Sequence, residues 1–173
     1  PAIPHPGRGS NWVDPDFGPV WSTSHLGDPE VSSIGTDPEG HPDSAWKVVR
    51  TVTLPGSGSL FIKTHPNSQW IWVDMVLNSD PALSRTVCVI AKSNPNEVYK
   101  CWEIADYGRA VHMEYNKQGT EVWISVWGAA DDPGQTGEIV IYDDATLDEK
   151  ARIPDLITPT GKFNVFNTVN DIY

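Results

Sequence analysis

A short segment near the start of the chain combines an imidazole with a permanent cation. It reads His5-Pro6-Gly7-Arg8-Gly9, so the two charged or ionisable side chains lie three residues apart. Proline fixes φ and glycine permits conformations that other residues avoid, which predicts a tightly turned loop that presents its side chains. An imidazole can transfer protons near neutral pH, and a guanidinium binds oxyanions. The loop is therefore a candidate ligand site, and the alternative is a solvated connector.

No other stretch carries a generic catalytic or metal-binding motif. His41, His65 and His112 lack the spacing to carboxylates that metal ligands show, so we predict no metal site built from protein side chains. The pairs Asp131-Asp132 and Asp143-Asp144 are typical of turns, the second of them directly after an apolar run. We therefore predict that these carboxylates are solvated, and calcium binding is the alternative.

Composition and charge bound the class of protein. The chain has 173 residues and a net charge of -11, and its 12 lysines and arginines are dispersed, which predicts no surface for nucleic acid or an anionic membrane. No apolar run reaches the roughly 18 residues that a membrane span needs. Prolines (15) and glycines (14) are well spread and no amphipathic stretch of helical length occurs, which predicts an all-β fold. Because the first residue is Pro1, we expect a processed product or a piece of something longer.

The two cysteines, Cys88 and Cys101, are not spaced like the ligands of a zinc ribbon or the attachment site of a c-type haem. Each lies in an apolar run that we predict to be a strand. In a symmetric hairpin the two would lie nearly opposite each other, so a disulfide and a pair of buried thiols both fit the pattern.

An internal repeat supplies the elements that must position the candidate loop. When the sequence is shifted by 51 residues, Trp21 falls on Trp72, and a further shift of about 50 brings Trp123 to within one position of the same place. Each unit has the pattern of four short strands, and four strands in 40 to 50 residues is typical of a β-propeller blade. The sequence predicts about three such blades with a tryptophan between neighbours, and a β-sandwich is the alternative.

The strands of the third unit are predicted over residues 111–115, 122–126, 138–142 and 149–153. Near the end of the chain, Phe163 and Val165 alternate with polar neighbours, which predicts the first strand of a closing blade. Three blades do not close a ring, because propellers need about four to eight. We therefore expect these residues alone to expose sheet surface and to be prone to aggregation.

Five segments, in order along the whole chain, resemble the C-terminal part of the cytochrome cd1 nitrite reductase family. They are His5-Pro6-Gly7-Arg8-Gly9, Gly18-Pro19-Val20-Trp21-Ser22-Thr23-Ser24-His25-Leu26-Gly27-Asp28, Gly58-Ser59-Leu60-Phe61-Ile62-Lys63-Thr64-His65-Pro66, Glu121-Val122-Trp123 and Leu156-Ile157-Thr158-Pro159-Thr160-Gly161-Lys162-Phe163-Asn164-Val165. The resemblance implies that residues 1–173 are the C-terminal part of an eight-bladed propeller domain that binds haem d1 and its iron. It also implies a preceding domain with haem c.

The resemblance assigns roles to individual residues. His5 matches one of two distal histidines that deliver protons to nitrite, and the other would lie before Pro1. Arg8 matches a residue close to the bound anion and the carboxylates of the macrocycle. Phe61 matches an aromatic residue packed on the macrocycle. Further matches to residues that line the haem pocket are Thr160 and Gly161.

Two other positions follow from the same resemblance. Where the family usually offers a glutamine to a carboxylate of the macrocycle, we assign Met113, which cannot donate a hydrogen bond. His25 lies in a matching segment, and we expect it to be structural.

The implied function is the reduction of nitrite to nitric oxide by a periplasmic, homodimeric parent protein. A small c-type cytochrome or cupredoxin would donate electrons through haem c, and this piece alone would be inactive. One alternative is a haem d1 maturation or carrier protein that does not reduce nitrite. Another is a non-catalytic propeller that serves as an interaction scaffold, since propellers host many functions.

Overall fold

The fold was described in a computed structural model over residues 2–5, 9–128 and 134–157. These residues form strands and one short helix: β1 (Ser10–Asp14), β2 (Gly18–Ser24), β3 (Glu30–Gly35), β4 (Val48–Thr53), β5 (Ile62–Thr64), β6 (Trp70–Asp74), α1 (Pro81–Ser84), β7 (Thr86–Ala91), β8 (Lys100–Glu103), β9 (Arg109–Tyr115), β10 (Glu121–Trp127), β11 (Gly137–Asp143) and β12 (Glu149–Leu156). The predicted all-β class is confirmed. Within the described ranges, no helix is long and apolar enough to cross a membrane.

The strands form three antiparallel sheets of four, and each sheet uses four consecutive strands in chain order. We call them the first (β1–β4), second (β5–β8) and third (β9–β12) blade. The first strand of the second blade, β5, contacts both β1 and β9. The first strands of successive blades are therefore neighbours, as they are around the axis of a propeller. The predicted propeller blades are confirmed.

The repeat detected in the sequence corresponds to these blades. Trp21, Trp72 and Trp123 lie on β2, β6 and β10, the second strand of each blade. The four strands predicted for the third unit coincide with β9 to β12, which extend the predicted spans by one to three residues at their ends. The predicted strand that contains Phe163 and Val165 lies outside the described residues.

The core consists of two apolar layers between blades. Strand β6 shows why the sequence forms them, because all five of its residues are buried and successive side chains point to opposite faces. Ile71 and Val73 pack between the first and second blades, whereas Trp70 and Trp72 pack between the second and third. The interblade packing predicted for Trp72 is thus observed, and its indole is fully buried.

One carboxylate joins the second and third blades, contrary to the prediction that it is solvated. Asp144 is buried, and its Oδ1 accepts hydrogen bonds from Trp72 Nε1 (3.1 Å) and the Tyr115 hydroxyl (3.0 Å). Its backbone carbonyl accepts a further bond from Trp70 Nε1 (2.8 Å). The prediction was wrong for Asp144 because a tryptophan that packs between blades needs an acceptor for its indole N–H. Asp143 does occupy a turn, where its Oδ1 accepts backbone N–H groups.

The two cysteines form a disulfide. Cys88 on β7 is the direct cross-strand partner of Cys101 on β8, and the two sulphurs are 2.04 Å apart. Of the two states that the sequence left open, the structure has the oxidised one.

Candidate functional site

His5 lies at the junction of the first two blades. Its backbone N–H donates to the carbonyl of Ser24 (3.0 Å), and Thr23 Oγ1 donates to the carbonyl of His5 (3.0 Å), so the end of β2 holds its backbone from both sides. Its ring Nδ1 is 2.6 Å from the carbonyl oxygen of Leu60. Since a carbonyl can only accept, Nδ1 carries the proton in this contact, and Nε2 is the ring nitrogen that can bind or protonate a ligand.

Three aromatic rings follow one another beside the first strands of the three blades. The ring of Phe61, directly before β5, meets the ring of His5 edge-on at 90°, with centroids 6.3 Å apart. Its other neighbour is the imidazole of His112 on β9, which is stacked at 12° and 4.4 Å between centroids. His5, Phe61 and His112 therefore come from three consecutive blades and line the side of the sheets that faces the propeller axis. We call these three residues the aromatic row.

A β-bulge sets the direction of His112. Along the β9–β10 pair, Met113 is opposite Ile124 and Val111 is opposite Ser125, so the register shifts by one residue at His112. It adopts a left-handed backbone conformation with φ of 55°. Bulges of this kind redirect a side chain out of the alternation of a strand. As a result, His112 stacks on Phe61, whereas Met113 is fully buried in the apolar layer between the second and third blades.

An ion-pair chain supports the His112 ring. Its Nε2 lies 2.7 Å from Glu114 Oε1, and the same carboxylate is 3.2 Å from Lys63 Nζ on β5. Burial raises the pKa of Glu114, but the hydrogen bond from His112 and the charge of Lys63 outweigh it and hold that pKa below its ordinary value. The carboxylate is therefore ionised at neutral pH and accepts the hydrogen bond from Nε2 of His112.

Asp74, at the end of β6, fixes the backbone of the aromatic row. Its Oδ1 accepts hydrogen bonds from the N–H groups of Leu60 (2.8 Å) and Phe61 (3.1 Å) and from Ser59 Oγ (3.1 Å). The other oxygen, Oδ2, accepts from the N–H of His112 (3.3 Å). One side chain thus joins the segment before β5 to the bulge in β9. Complete burial raises the pKa of Asp74 to about 6, although four donors oppose the shift.

The structure brings together only part of the predicted site. The rings of His5 and Phe61 are neighbours, and their roles stay predictions, whereas Arg8, Thr160 and Gly161 lie outside the described residues. The contact with a macrocycle assigned to Met113 stays a prediction, and its side chain is fully buried in the apolar cluster against which Phe61 packs.

Sequence reasoning did not find His112 or Asp74. The signal for Asp74 was a charged residue at the end of an otherwise apolar strand. Such a position indicates a buried carboxylate, and a buried carboxylate needs several hydrogen-bond donors. The signal for His112 was weaker. Regular alternation along a strand puts His112 on one face and its neighbour Met113 on the other, and a bulge that breaks this alternation leaves no mark in the sequence pattern.

The arrangement suits a flat, anionic ligand. The aromatic row offers planar apolar surface, Lys63 offers a cation, and His5 offers an imidazole that is fixed at Nδ1. Residues 1–168 match the model of a protein family described as the cytochrome D1 heme domain. The chain belongs to the cytochrome d1 haem domain family.

Other similarities agree with this assignment. A nitrite reductase from Stutzerimonas stutzeri is 48% identical over 187 aligned positions, which cover 99% of this chain and 33% of that protein. The chain thus spans about a third of the length of this curated relative. A solved dihydro-heme d1 dehydrogenase NirN in complex with DHE has the same fold, with a TM-score of 0.71 and 24% identity over 88% of this chain and 29% of that one.

A more distant structural match is the hydrazine synthase of Kuenenia stuttgartiensis. Its TM-score is 0.56 with 16% identity, over 82% of this chain and 40% of that one. At these identities the two solved structures support the propeller fold of this cytochrome d1 haem domain and nothing about its chemistry.

Proposed function

We propose that this chain is the C-terminal part of a haem d1-binding propeller domain in a nitrite reductase that forms nitric oxide. The observation that carries the proposal is the fixed imidazole of His5 beside Phe61, in a chain that is 48% identical to a nitrite reductase. The reaction takes up one electron and two protons, as NO₂⁻ + e⁻ + 2 H⁺ → NO + H₂O. The protein must therefore supply protons at a buried anion.

The residues of the aromatic row fit a haem d1 macrocycle. The ring of Phe61 can pack on a planar face, and the Lys63 ammonium, which has three N–H donors, can bind a carboxylate at the edge of the macrocycle as well as Glu114. When bound, haem d1 supplies an iron that holds nitrite and transfers the electron. The eight-bladed ring and the haem c that would feed it are part of the same proposal.

His5 acts in this proposal as the proton donor. The Leu60 carbonyl fixes Nδ1, so that the ring cannot turn, and Nε2 is the atom that gives its proton to a nitrite oxygen. Two proton transfers convert that oxygen to water. Arg8, which lies outside the described residues, would hold the anion by its guanidinium.

The disulfide supports a periplasmic location. Bonds such as Cys88–Cys101 persist in oxidising compartments and are rare in the bacterial cytosol. Within the periplasm, the electron donor would be a small c-type cytochrome or a cupredoxin, and we expect the parent protein to be a homodimer.

A haem d1 maturation or carrier protein is the second candidate. The fold of the solved dihydro-heme d1 dehydrogenase is compatible with it, whereas the higher identity to a nitrite reductase favours the reductase. A propeller that serves only as an interaction scaffold would not need a fixed imidazole beside a stacked aromatic pair.

Replacing His5 tests the proposal in the full-length protein. We expect His5→Ala to lower nitrite turnover at saturating nitrite by roughly 10²- to 10⁴-fold, the usual contribution of a general acid, and to keep the long-wavelength absorption of haem d1. His41→Ala is the matched control, because it removes a partly exposed imidazole on the first blade. Unchanged turnover in His5→Ala would refute the role of His5. If the parent protein does not reduce nitrite at all, the maturation candidate is favoured.

A further inference from the structure

A histidine outside the aromatic row, His25, is also buried. His25 directly follows β2, its side chain has no solvent exposure, and within the described part of the chain neither Nδ1 nor Nε2 has a hydrogen-bond partner. Buried polar groups in native proteins are almost always satisfied by protein, water or an ion. A buried imidazole whose two nitrogens both lack a hydrogen-bond partner among the described residues therefore indicates a bound ligand.

Two carboxylates face the Nδ1 atom of this imidazole. Asp28 Oδ2 lies 3.9 Å away and Glu30 Oε2 lies 4.0 Å away, and the three atoms are all within 4.8 Å of one another. These separations are too long for hydrogen bonds. No lysine or arginine of the described chain forms an ion pair with either carboxylate. The two negative groups are thus held close together without a cationic side chain from residues 2–5, 9–128 or 134–157.

We propose that His25, Asp28 and Glu30 bind a divalent transition-metal ion of the Zn²⁺ class. In a tetrahedral zinc site, bonds of about 2.0–2.2 Å to nitrogen and oxygen place two ligand atoms roughly 3.3–3.6 Å apart. The carboxylate oxygens, at 3.9 and 4.0 Å from Nδ1, therefore need to move by only a fraction of an ångström on binding. Ca²⁺ and Mg²⁺ take oxygen ligands, so the imidazole selects for Zn²⁺ and similar ions. Water would complete the coordination.

Access to the site is open on the carboxylate side. The side chains of Asp28 and Glu30 are 33% and 37% exposed, while the imidazole forms the closed floor. An ion can therefore enter from solvent and meet a buried nitrogen ligand. The two exposed carboxylates can also turn by the small amount that binding requires.

The site adjoins the segment that carries His5. The N–H of Ala2 donates to the Asp28 carboxylate, and the N–H groups of Leu26 and Gly27 donate to the carbonyls of Ile3 (2.9 Å) and Ala2 (3.1 Å). An ion held by the loop between β2 and β3 would stabilise the platform on which residues 2–5 lie. Its role is structural and does not depend on the reaction at the aromatic row.

Zinc binding by the full-length protein tests the inference. After treatment with a chelator and dialysis against Zn²⁺, we expect the wild type to hold one more zinc per chain, by elemental analysis, than Asp28→Asn/Glu30→Gln. Asp37→Asn is the matched control, because it removes a carboxylate 2.8 Å from the exposed imidazole of His41. Equal zinc in all three proteins, or loss of zinc in the control, would overturn the proposal.

Thermal unfolding supplies a second measurement that is independent of nitrite turnover. We expect Zn²⁺ to raise the melting temperature of the wild type and of Asp37→Asn, and to leave that of the double variant unchanged. Equal stabilisation of the wild type by Mg²⁺ at the same concentration would contradict a site that uses an imidazole. Because zinc content is measured separately from iron, failure of this inference is distinguishable from failure of the proposed nitrite reduction.

Discussion

Asp74 shows how one buried side chain can organise a site that it does not enter. Its two oxygens accept four hydrogen bonds, three from the segment before β5 and one from the bulge in β9. Both Phe61 and His112 are therefore positioned by the same carboxyl group. Burial raises the pKa of Asp74 to about 6, so its ionisation is unfavourable in the folded protein compared with the unfolded chain.

Substitution of Asp74 by asparagine tests this linkage. Between pH 4 and 6 the folded state binds more protons at Asp74 than the unfolded state, so its contribution to stability falls as the pH rises, by on the order of 3 kcal/mol in total. Asp74→Asn cannot titrate. We therefore expect the stability difference between wild type and variant, from denaturant titrations, to shrink from pH 4 to pH 7. The exposed Asp106→Asn is the control, and parallel pH profiles for wild type and Asp74→Asn would contradict the expectation.

At the level of single residues, the sequence predicted candidate site residues, whose roles stay predictions, but it did not predict their surroundings. His5 and Phe61 could be placed because whole segments resemble a family. The roles of Asp74 and His112 depend on contacts between blades, which no local pattern encodes. A one-residue bulge on β9 turns His112 toward Phe61 and Met113 into the apolar layer, because a shift of one residue exchanges the faces of a strand.

At the level of strands, the hairpin of β7 and β8 carries the disulfide. Cys88 is fully buried and Cys101 is half-buried, and they are directly opposite in the ladder. The period-2 pattern predicted the two strands and their approximate pairing. It could not predict the oxidation state, since a cross-strand pair of thiols and a disulfide require nearly the same backbone.

Removing the disulfide should weaken this hairpin measurably. The bond closes a loop with a sequence separation of 13, for which the entropy of the unfolded chain predicts about 3 kcal/mol of stabilisation. We expect a thiol reductant to lower the stability of the wild type by about that amount and to have no effect on Cys101→Ala. A peptide that links the two cysteines should appear in mass spectra of the unreduced protein. Free thiols at both positions in the purified protein would contradict the bond.

At the level of the whole molecule, the layers between blades hold the sheets together. The buried Asp144 joins the indoles of the second blade to Tyr115 of the third, and the apolar layers on both sides of β6 are continuous. The repeat of about 50 residues made the blades predictable, since each needs the same strand pattern. The hydrogen bonds of Asp144 to the two indoles were not predictable, because they connect residues that are more than 70 positions apart.

Among the residues that the structure describes, no neighbouring sheet covers the outer faces of the first and third blades. On the first blade, Trp21, Ile34 and Val48 occupy adjacent register positions across β2, β3 and β4, and Val48 is 55% exposed. On the third blade, Trp123 and Ile139 are half-buried. These apolar side chains are of the same kind as those that pack between the blades elsewhere in the chain.

Residues 1–173 produced alone should therefore self-associate. Apolar sheet faces that lack their neighbouring blade favour contacts between copies, which the complete ring would prevent. We expect light scattering to show oligomers or aggregates, and an apolar dye to bind more strongly per blade than it does to the full-length protein. Val13→Lys/Val48→Lys adds charge to two exposed positions of the first blade and should reduce the association. A monomer with a sharp, cooperative unfolding transition would show instead that three blades are stable without the ring.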